Sequence, residues 1–97
     1  MKLTRIDASH PLFEASFTLY EASFPPNERR MREDHLRALQ DADFSPLGAV
    51  EDGMLLADVF LWETEDFCYL EHFAVQPSLR GHGTGSTILR QLLTQDK

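Results

Sequence analysis

Residues 67–85 read FCYLEHFAVQPSLRGHGTG, a stretch whose pattern predicts a strand, a glycine turn and the start of a helix. Its first part, Phe67 to Val75, is rich in aromatic and β-branched residues and predicts a strand. Gln76-Pro77-Ser78 breaks the strand, because proline cannot donate to a ladder of main-chain hydrogen bonds. A glycine-spaced turn over residues 80–85 then leads into a helix. The apolar face of that helix consists of Ile88, Leu89, Leu92 and Leu93.

The glycine turn has the features of a diphosphate-binding segment. The first turn of a helix carries N–H groups without intrahelical partners, and the helix dipole adds partial positive charge there. Glycines let the main chain approach an anion closely and adopt positive φ. Arg80 adds a charge-assisted donor, and Thr84, Ser86 and Thr87 add hydroxyls. Residues 80–87 therefore predict a cradle for a diphosphate.

Two common diphosphate-binding motifs do not fit this turn. The dinucleotide fingerprint requires G-x-G-x-x-G after the first strand of a βαβ unit. Here the sixth residue counted from Gly81 is Ser86, and the turn follows a later strand. The P-loop pattern requires Gly-Lys-Ser/Thr, which the sequence lacks. The pattern that is present is Arg-x-x-Gly-x-Gly, followed by an apolar helix.

Two helices are predicted in the first half of the chain. Ser9 stands at the N-cap position of the first helix. An aromatic stripe at helical spacing follows, formed by Phe13, Phe17, Tyr20 and Phe24, and we interpret it as core packing. A second, shorter helix is predicted over residues 32–40, with Met31, Leu36 and Leu39 as its buried side chains.

The remaining elements are strands. Residues 2–7 alternate and predict a short first strand. Leu47 to Glu51 and Met54 to Trp62 predict a hairpin, because Asp52-Gly53 between them suits a tight two-residue turn. The complete order is β-α-α-β-β-β-α, which predicts an α/β (α+β) protein.

Composition limits the class of protein and the class of partner. At 97 residues the chain suits one domain with a modest core. The formal net charge of −7 argues against nucleic acid as a partner, because binding it needs clustered lysine and arginine. No apolar run approaches the ~20 residues that a membrane span needs.

The cysteine and histidine residues give no sign of a metal or disulfide site. Cys68 is the only cysteine, which excludes an internal disulfide, and we expect it to be a small buried side chain. The four histidines show no ligand spacing, so no metal is expected. A cytoplasmic location is the default prediction.

Residues 67–85 resemble the acetyl-CoA motif of the GCN5-related N-acetyltransferases (the GNAT family). That motif is a strand ending in Ala-Val, a short loop, Arg/Gln-x-x-Gly-x-Gly/Ala, and a helix. FPPNERR at residues 24–30 is similar to the segment that joins the first two helices in many bacterial members. The resemblance implies that residues 1–97 form a single domain, the N-terminal part of the acyl-CoA N-acyltransferase fold, with a mostly antiparallel mixed sheet flanked by helices. It also implies transfer of an acetyl group from acetyl-CoA to a primary amine.

The family pattern implies cofactor-binding roles for the matching residues. Main-chain groups of Phe73, Ala74 and Val75 would pair with the pantetheine amides as if the cofactor were a neighbouring strand. The pyrophosphate would be held by Arg80, Gly81, His82, Gly83, Thr84, Gly85 and Ser86. The acceptor stays open among small amines, antibiotics, peptide N-termini and lysine side chains.

Direct acyl transfer needs a base, because an ammonium group has no lone pair with which to attack. Glu71 is the candidate, since in family members the strand residue four before this valine often faces the reacting centre. By strand alternation, one face carries Tyr69, Glu71, Phe73 and Val75, and the other carries Leu70, His72 and Ala74. Burial in an aromatic setting could raise the pKa of Glu71 toward a useful value.

These residues also have plain structural interpretations. Glu71 could be a half-exposed strand carboxylate that pairs with one of the nearby arginines, Arg29, Arg30 or Arg32. His72 is more often a satisfied core histidine than a catalytic group. The three arginines could form a solvated face or line the entrance of a pocket.

The sequence departs from the family pattern after the glycine-turn helix. Family members continue with a further strand, a helix and usually two more strands, whereas this sequence ends at Lys97. In the family, the next strand splays away from the one that holds Val75, and the usual acid, a tyrosine, lies beyond it. We therefore expect an exposed apolar strand edge here. Asp58 is a further departure, near a position where small residues are common.

Three hypotheses remain open. The chain could be a truncation of a longer acetyltransferase. It could be completed by a second chain, through a homodimer or strand exchange that covers the sheet edge. Or it could be a non-catalytic half-domain that binds acyl-CoA or a partner protein.

Overall fold

The helices and strands follow one another in the predicted order. The computed structural model describes residues 1–95. The strands are β1 (Lys2–Arg5), β2 (Phe44–Glu51), β3 (Met54–Glu63) and β4 (Cys68–Val75). The helices are α1 (Phe13–Ser23), α2 (Arg32–Ala38) and α3 (Thr84–Gln95), with short 3-10 helices at Pro26–Glu28 and Pro77–Leu79. Within residues 1–95, none of the helices is long and apolar enough to span a bilayer.

The four strands form one antiparallel sheet in the order β1-β2-β3-β4. β2 and β3 form the predicted hairpin, and Asp52 (φ 52°) and Gly53 (φ 77°) at its turn both have positive φ. This is the conformation of a tight type I′ turn, which Asp-Gly favours. β4 lies at one edge of the sheet, and no strand within the described residues pairs with its outer side.

Apolar side chains cover both faces of the sheet. On one face, α1 and α2 contribute to a cluster of Ile6, Phe13, Phe17, Tyr20, Leu39, Phe44 and Phe60. On the other face, α3 contributes to a cluster of Leu3, Ala49, Ala57, Val59, Leu61, Ile88 and Leu92. The predicted aromatic stripe of α1 is therefore core, with Phe24 partly buried against it. Burial of this apolar surface, at about 25 cal/mol per Å², is the main driving force for folding.

α1 begins at Phe13, so the predicted N-cap at Ser9 is wrong. The hydroxyl and the amide of Ser9 donate to Asp7 Oδ1 at 2.8 and 3.1 Å, which closes a local turn instead. Leu12 precedes the helix, and its N–H donates to His10 Nδ1 at 3.0 Å. The side chains of Asp7 and His10 thus accept hydrogen bonds from main-chain N–H groups of this segment, which favours a turn over a helix that begins at Ser9.

Two predicted burials are also wrong. Met31 lies in extended conformation before α2 and is 76% exposed, so helical spacing does not apply to it. Cys68 is exposed because it opens β4 at the edge of the sheet. α2 ends at Ala38, earlier than predicted, and its buried side is formed by His35 and, just beyond its end, Leu39.

A β-bulge at Glu71 interrupts the pairing of β3 with β4. Phe60 pairs with His72 and Leu61 pairs with Leu70, so Glu71 has no partner residue in β3. At such a bulge, two consecutive residues oppose one on the neighbouring strand. The strict alternation that the sequence predicts therefore stops at this point.

The bulge places Glu71 and His72 on the same face of the sheet. Glu71 contacts Arg30, and the ring of His72 packs against Tyr20, so both lie on the α1/α2 face. Leu70 instead faces α3. The prediction that Glu71 and His72 point to opposite faces is therefore wrong.

Candidate active site

The glycine turn and α3 present a row of main-chain donors. Gly81 (φ 84°) and Gly83 (φ 77°) occupy the left-handed region that other residues rarely adopt. The Gly83 carbonyl accepts hydrogen bonds from the N–H and the hydroxyl of Thr87, both at 3.1 Å, which makes Gly83 the N-cap of α3. The N–H groups of residues 84–86 thus lie in the first helical turn, ahead of any intrahelical acceptor. This geometry suits an anion.

The glycines of the turn are needed for different reasons. A Cβ atom at Gly81 or Gly83 would meet no atom within 4 Å, so positive φ alone favours glycine there. A Cβ atom at Gly85 would lie 3.5 Å from the ring of Phe73 and 3.6 Å from the side chain of Val75. These are ordinary van der Waals distances, and they show how closely α3 approaches β4.

Arg80 connects the end of β4 to the turn. Its Nε donates to the main-chain oxygen of Val75 at 3.0 Å, and the residue is exposed. The positive charge is thereby held immediately before the donor row of α3. A guanidinium next to a helix N-terminus strengthens a site for an anion, because both carry positive charge.

β4 directs the main-chain groups of two residues to its open edge. Residues of an antiparallel pair alternate between those that bond to the neighbouring strand and those that point away from it. The Gln76 N–H donates to the Leu56 carbonyl at 2.9 Å, so Ala74 bonds towards β3, and Phe73 and Val75 point away. Of the three residues expected to pair with pantetheine, Phe73 and Val75 therefore have the required orientation and Ala74 does not.

Glu71 is held by Arg30. Arg30 Nη1 lies 2.7 Å from both carboxylate oxygens of Glu71, and both side chains are about four-fifths buried. Burial alone would raise the pKa of Glu71, but the hydrogen bond and the charge of Arg30, with a hydrogen bond from Trp62, lower it below its usual value. The predicted rise is therefore wrong, and the predicted pairing with an arginine is confirmed.

His72 lies beside Glu71 and is packed among rings. Its Nδ1 is 3.4 Å from Glu71 Oε1, and its Nε2 is 3.3 Å from the main-chain oxygen of Glu28. The imidazole meets the rings of Phe24 and Tyr20 edge-on, with centroids 4.4 and 5.1 Å away. The ring contacts agree with the interpretation of His72 as a core histidine, but its Nδ1 is buried with no hydrogen-bond partner among the described residues.

Each of the three arginines has acceptors within the chain, and Arg32 is also exposed. Arg29 donates to the main-chain oxygens of Phe24, at 3.0 Å, and of Glu21, and so satisfies carbonyls at the C-terminal end of α1. Arg30 pairs with Glu71. Arg32 forms a bidentate pair with Glu14 at 2.8 and 2.9 Å, over the ring of Phe17.

The open edge of β4 continues into an apolar groove on the α3 side. The groove has a volume of about 330 Å³ and is lined by Leu61, Cys68, Leu70, Leu89, Leu92 and Leu93. Phe67, immediately before β4, and Tyr69, within it, are also more than half exposed. The expected exposed apolar edge is therefore present in the described part of the chain.

Sequence reasoning missed the importance of His35. It is 1% exposed and lies with its Nδ1 3.3 Å from Arg30 Nη2. Its spacing of four from Leu39 is the signal that could have indicated a buried position. No group of His, Cys, Asp and Glu side chains within residues 1–95 is arranged to hold a metal ion.

Comparison with known proteins agrees with the strand–turn–helix geometry. The model of the acetyltransferase (GNAT) family matches residues 10–96. A solved structure described as a putative acetyltransferase from the GNAT family of Bacteroides thetaiotaomicron has a TM-score of 0.87 and 28% sequence identity. The similarity covers 95% of this chain and 53% of that one. Comparison with curated proteins gives no match.

A second solved structure, the ribosomal-protein-S18-alanine N-acetyltransferase from Escherichia coli, has a TM-score of 0.74 at 16% identity. The similarity covers 97% of this chain and 57% of that one. At 16% identity it concerns the fold alone. The chain thus spans just over half the length of both solved structures. The family model covers nearly all of the sequence, including β4, the glycine turn and α3, and the chain therefore belongs to the acetyltransferase (GNAT) family.

Proposed function

We propose that this chain provides the acetyl-CoA-binding part of an N-acetyltransferase, which transfers an acetyl group from acetyl-CoA to a primary amine. The observation that carries the proposal is the position of the glycine turn, at the N-terminus of α3 and directly after the open edge of β4. A helix N-terminus suits a diphosphate, and an open strand edge suits an extended chain that bears amides. Acyl-CoA has both parts in one molecule.

The donor-binding residues divide into two groups. Arg80 and the turn formed by residues 81–86 hold the pyrophosphate through main-chain donors and positive charge. Phe73 and Val75 offer main-chain groups to the pantetheine arm, whereas Ala74 packs its side chain against Leu19 and Leu55. When bound, acetyl-CoA supplies a thioester carbonyl that an amine can attack.

Glu71 is the residue that we propose to accept the proton of the acceptor ammonium, directly or through a water molecule. Because Arg30 lowers the pKa of Glu71, the carboxylate is ionised across the neutral range and ready to accept. The same low pKa makes it a weak base, so the driving force for proton transfer is small. We therefore expect the pH dependence of the rate near neutrality to follow the acceptor amine rather than Glu71.

Amide hydrogen exchange tests the proposed acetyl-CoA site. Saturating acetyl-CoA should protect the segment of residues 75–86 from exchange, because the N–H groups of Val75 and of the turn at residues 81–86 become donors to the ligand. Arg80→Ala should weaken the binding, whereas Arg90→Ala, an exposed arginine later in α3, is the matched control. Unchanged exchange at saturating acetyl-CoA would contradict the proposal that this segment binds acetyl-CoA.

Turnover tests the role of Glu71. Glu71→Gln keeps the shape of the side chain and removes the proton acceptor, so acetyl transfer to a panel of amines should be lost while acetyl-CoA still binds. Full turnover in this variant would end the assignment. The panel should contain small amines, antibiotics, peptide N-termini and lysine-containing peptides.

A cytoplasmic location stays a prediction of the composition.

A second candidate function is a non-catalytic module that binds acyl-CoA or another protein chain. The exposed edge of β4 and the adjoining apolar groove favour it, because an unpaired strand edge can pair with a second strand. A homodimer or strand exchange would cover this edge. Light scattering gives the oligomeric state, and absence of turnover with every amine, in a chain that still binds acetyl-CoA, would favour this candidate over the enzyme.

A further inference from the structure

We propose that His35 and Arg30 are positioning residues for Glu71: His35 orients the guanidinium of Arg30, and that guanidinium fixes the carboxylate of Glu71. The proposal rests on the proposed function, because it concerns the side chain to which that function assigns proton transfer. It extends the candidate site to α2 and to the segment before α2, which lie outside the residues proposed to bind acetyl-CoA.

The β-bulge leaves Glu71 without a partner residue in the ladder, so its position depends on side-chain contacts. Residues on either side of it are held by pairing with Phe60 and Leu61, but Glu71 has no such pairing in β3. Its carboxylate accepts from Arg30 Nη1, at 2.7 Å from both oxygens, and from the side chain of Trp62 in β3. The stronger of these contacts comes from an arginine that lies 41 positions earlier in the chain.

Arg30 is itself held from several sides. Its main-chain N–H donates to the hydroxyl of Tyr20. Its guanidinium lies over the rings of Tyr20 and Phe44, 5.6 and 5.0 Å from their centroids, which favours a cation. Its Nη2 lies 3.3 Å from Nδ1 of His35. The last contact fixes the rotation of the guanidinium plane, and thereby the direction of Nη1.

The contact with Arg30 determines which tautomer His35 adopts. A guanidinium has donors only, so Nδ1 of His35 must accept and cannot carry a proton. The ring proton is then on Nε2, and the imidazole is neutral. Burial and the charge of Arg30 agree with this state, because they lower the pKa of His35 to about 4.

The charged and titratable groups around His35 are Arg30, Glu71, His72, Arg32 and the phenol of Tyr20, whose ring stacks on the imidazole. Glu71 is the single carboxylate among them, and Arg30 already pairs with it. A proton on Nδ1 would remove the acceptor for Nη2 and place a second positive charge beside Arg30. The orientation of the guanidinium, and with it the position of Glu71, therefore depends on the neutral form of His35.

Nitrogen NMR on the unmodified chain tests the first step. Long-range ¹⁵N–¹H correlation of the His35 ring should show a proton on Nε2 and a bare Nδ1 at pH 7. A proton on Nδ1 would overturn the proposal, because that nitrogen could not then accept from Arg30. This measurement needs no variant and no ligand.

Two substitutions of His35 separate its acceptor from its bulk. His35→Phe keeps a ring among the neighbouring aromatic side chains but removes the acceptor, whereas His35→Asn keeps an acceptor at the position of Nδ1 and removes the ring. The readout is the titration of the Glu71 carboxyl carbon by ¹³C NMR. We expect the pKa of Glu71 to rise by roughly one unit in His35→Phe and to stay near its original value in His35→Asn.

Arg30→Met provides a variant that keeps His35 and removes the ion pair. It should raise the pKa of Glu71 at least as far as His35→Phe does, and an unchanged titration in Arg30→Met would overturn the proposal even if His35→Phe fails to fold. None of these readouts uses acetyl-CoA or turnover. The proposed function therefore fails separately, through full activity of Glu71→Gln, and the two failures are distinguishable.

Discussion

The hydroxyl of Ser16 donates a 2.7 Å hydrogen bond to Oδ1 of Asp58, which joins α1 to the middle of β3. Asp58 is 1% exposed, and its Oδ2 is buried with no hydrogen-bond partner among the described residues. Burial raises the pKa of Asp58 to about 8, although the bond from Ser16 acts in the opposite direction. The carboxyl group is therefore mostly protonated at neutral pH, which makes the attachment of α1 sensitive to alkali.

We expect Asp58 to make the free energy of unfolding fall as the pH rises from about 4 to about 8. The unfolded chain loses this proton near the usual value of 3.8 and the folded chain only near 8, so the folded state binds more protons within that window. The slope for this one group is at most about 1.4 kcal/mol per pH unit. Urea unfolding at a series of pH values measures it.

Asp58→Asn is the matched variant, because the amide keeps an acceptor for Ser16 and does not titrate. It should be more stable than the original chain at pH 8 and should lose this part of the pH dependence. Parallel profiles for the two chains between pH 4 and 8 would contradict the assignment of a buried, protonated Asp58.

His35 should produce the opposite dependence at acid pH. Its pKa is lowered from 6.5 to about 4, mainly by burial and then by Arg30, so the unfolded chain takes up this proton first. Stability that depends on neutral His35 is therefore fully present above pH 6.5 and is lost as the pH falls to about 4. Unfolding of His35→Asn should lack this loss, and His82→Asn, at an exposed position, should keep it. A loss of equal size in both variants would show that other groups cause it.

Local sequence patterns predicted the elements of this fold because each pattern acts through near neighbours. Asp52-Gly53 defines a turn through its own φ angles, and the positive φ of Gly81 and Gly83 likewise belongs to the glycines themselves. The aromatic stripe of α1 follows from helical spacing alone. These features require no knowledge of the rest of the chain.

The parts of the candidate site that failed prediction depend on contacts between distant residues. The bulge at Glu71 arises from the pairing of β4 with β3, and single-strand alternation cannot show it. The lowered pKa of Glu71 depends on Arg30, which lies 41 positions away. The sequence indicated three arginines as possible partners of Glu71 but not which of them would reach it.

Gly48 should be intolerant of any side chain. It lies in β2 and is buried, and a Cβ atom there would lie 2.7 Å from Leu55 Cδ1 and 3.0 Å from Ile6 Cγ1. Gly48→Ala should therefore lower the free energy of unfolding by about 1–3 kcal/mol, as overpacking of a core does. Combining it with Leu55→Val, which removes the nearer atom, should recover part of that loss. A Gly48→Ala chain as stable as the original would show that β2 and β3 adjust without cost.

The glycine turn should depend on Gly83 for its φ angle. Alanine at φ 77° is strained by about 1–2 kcal/mol, so Gly83→Ala should shift the turn out of the left-handed region and misalign the donors of residues 84–86. We expect the affinity for acetyl-CoA to fall about tenfold, which corresponds to about 1.4 kcal/mol. Asparagine tolerates positive φ, so Gly83→Asn should lose less affinity than Gly83→Ala. Gly53→Ala is the control for the strain of alanine, since Gly53 also has a φ of 77° but lies in the β2–β3 turn, outside the proposed site. Isothermal titration calorimetry compares the three variants, and equal affinities for Gly83→Ala and Gly83→Asn would mean that φ at this position does not control the site.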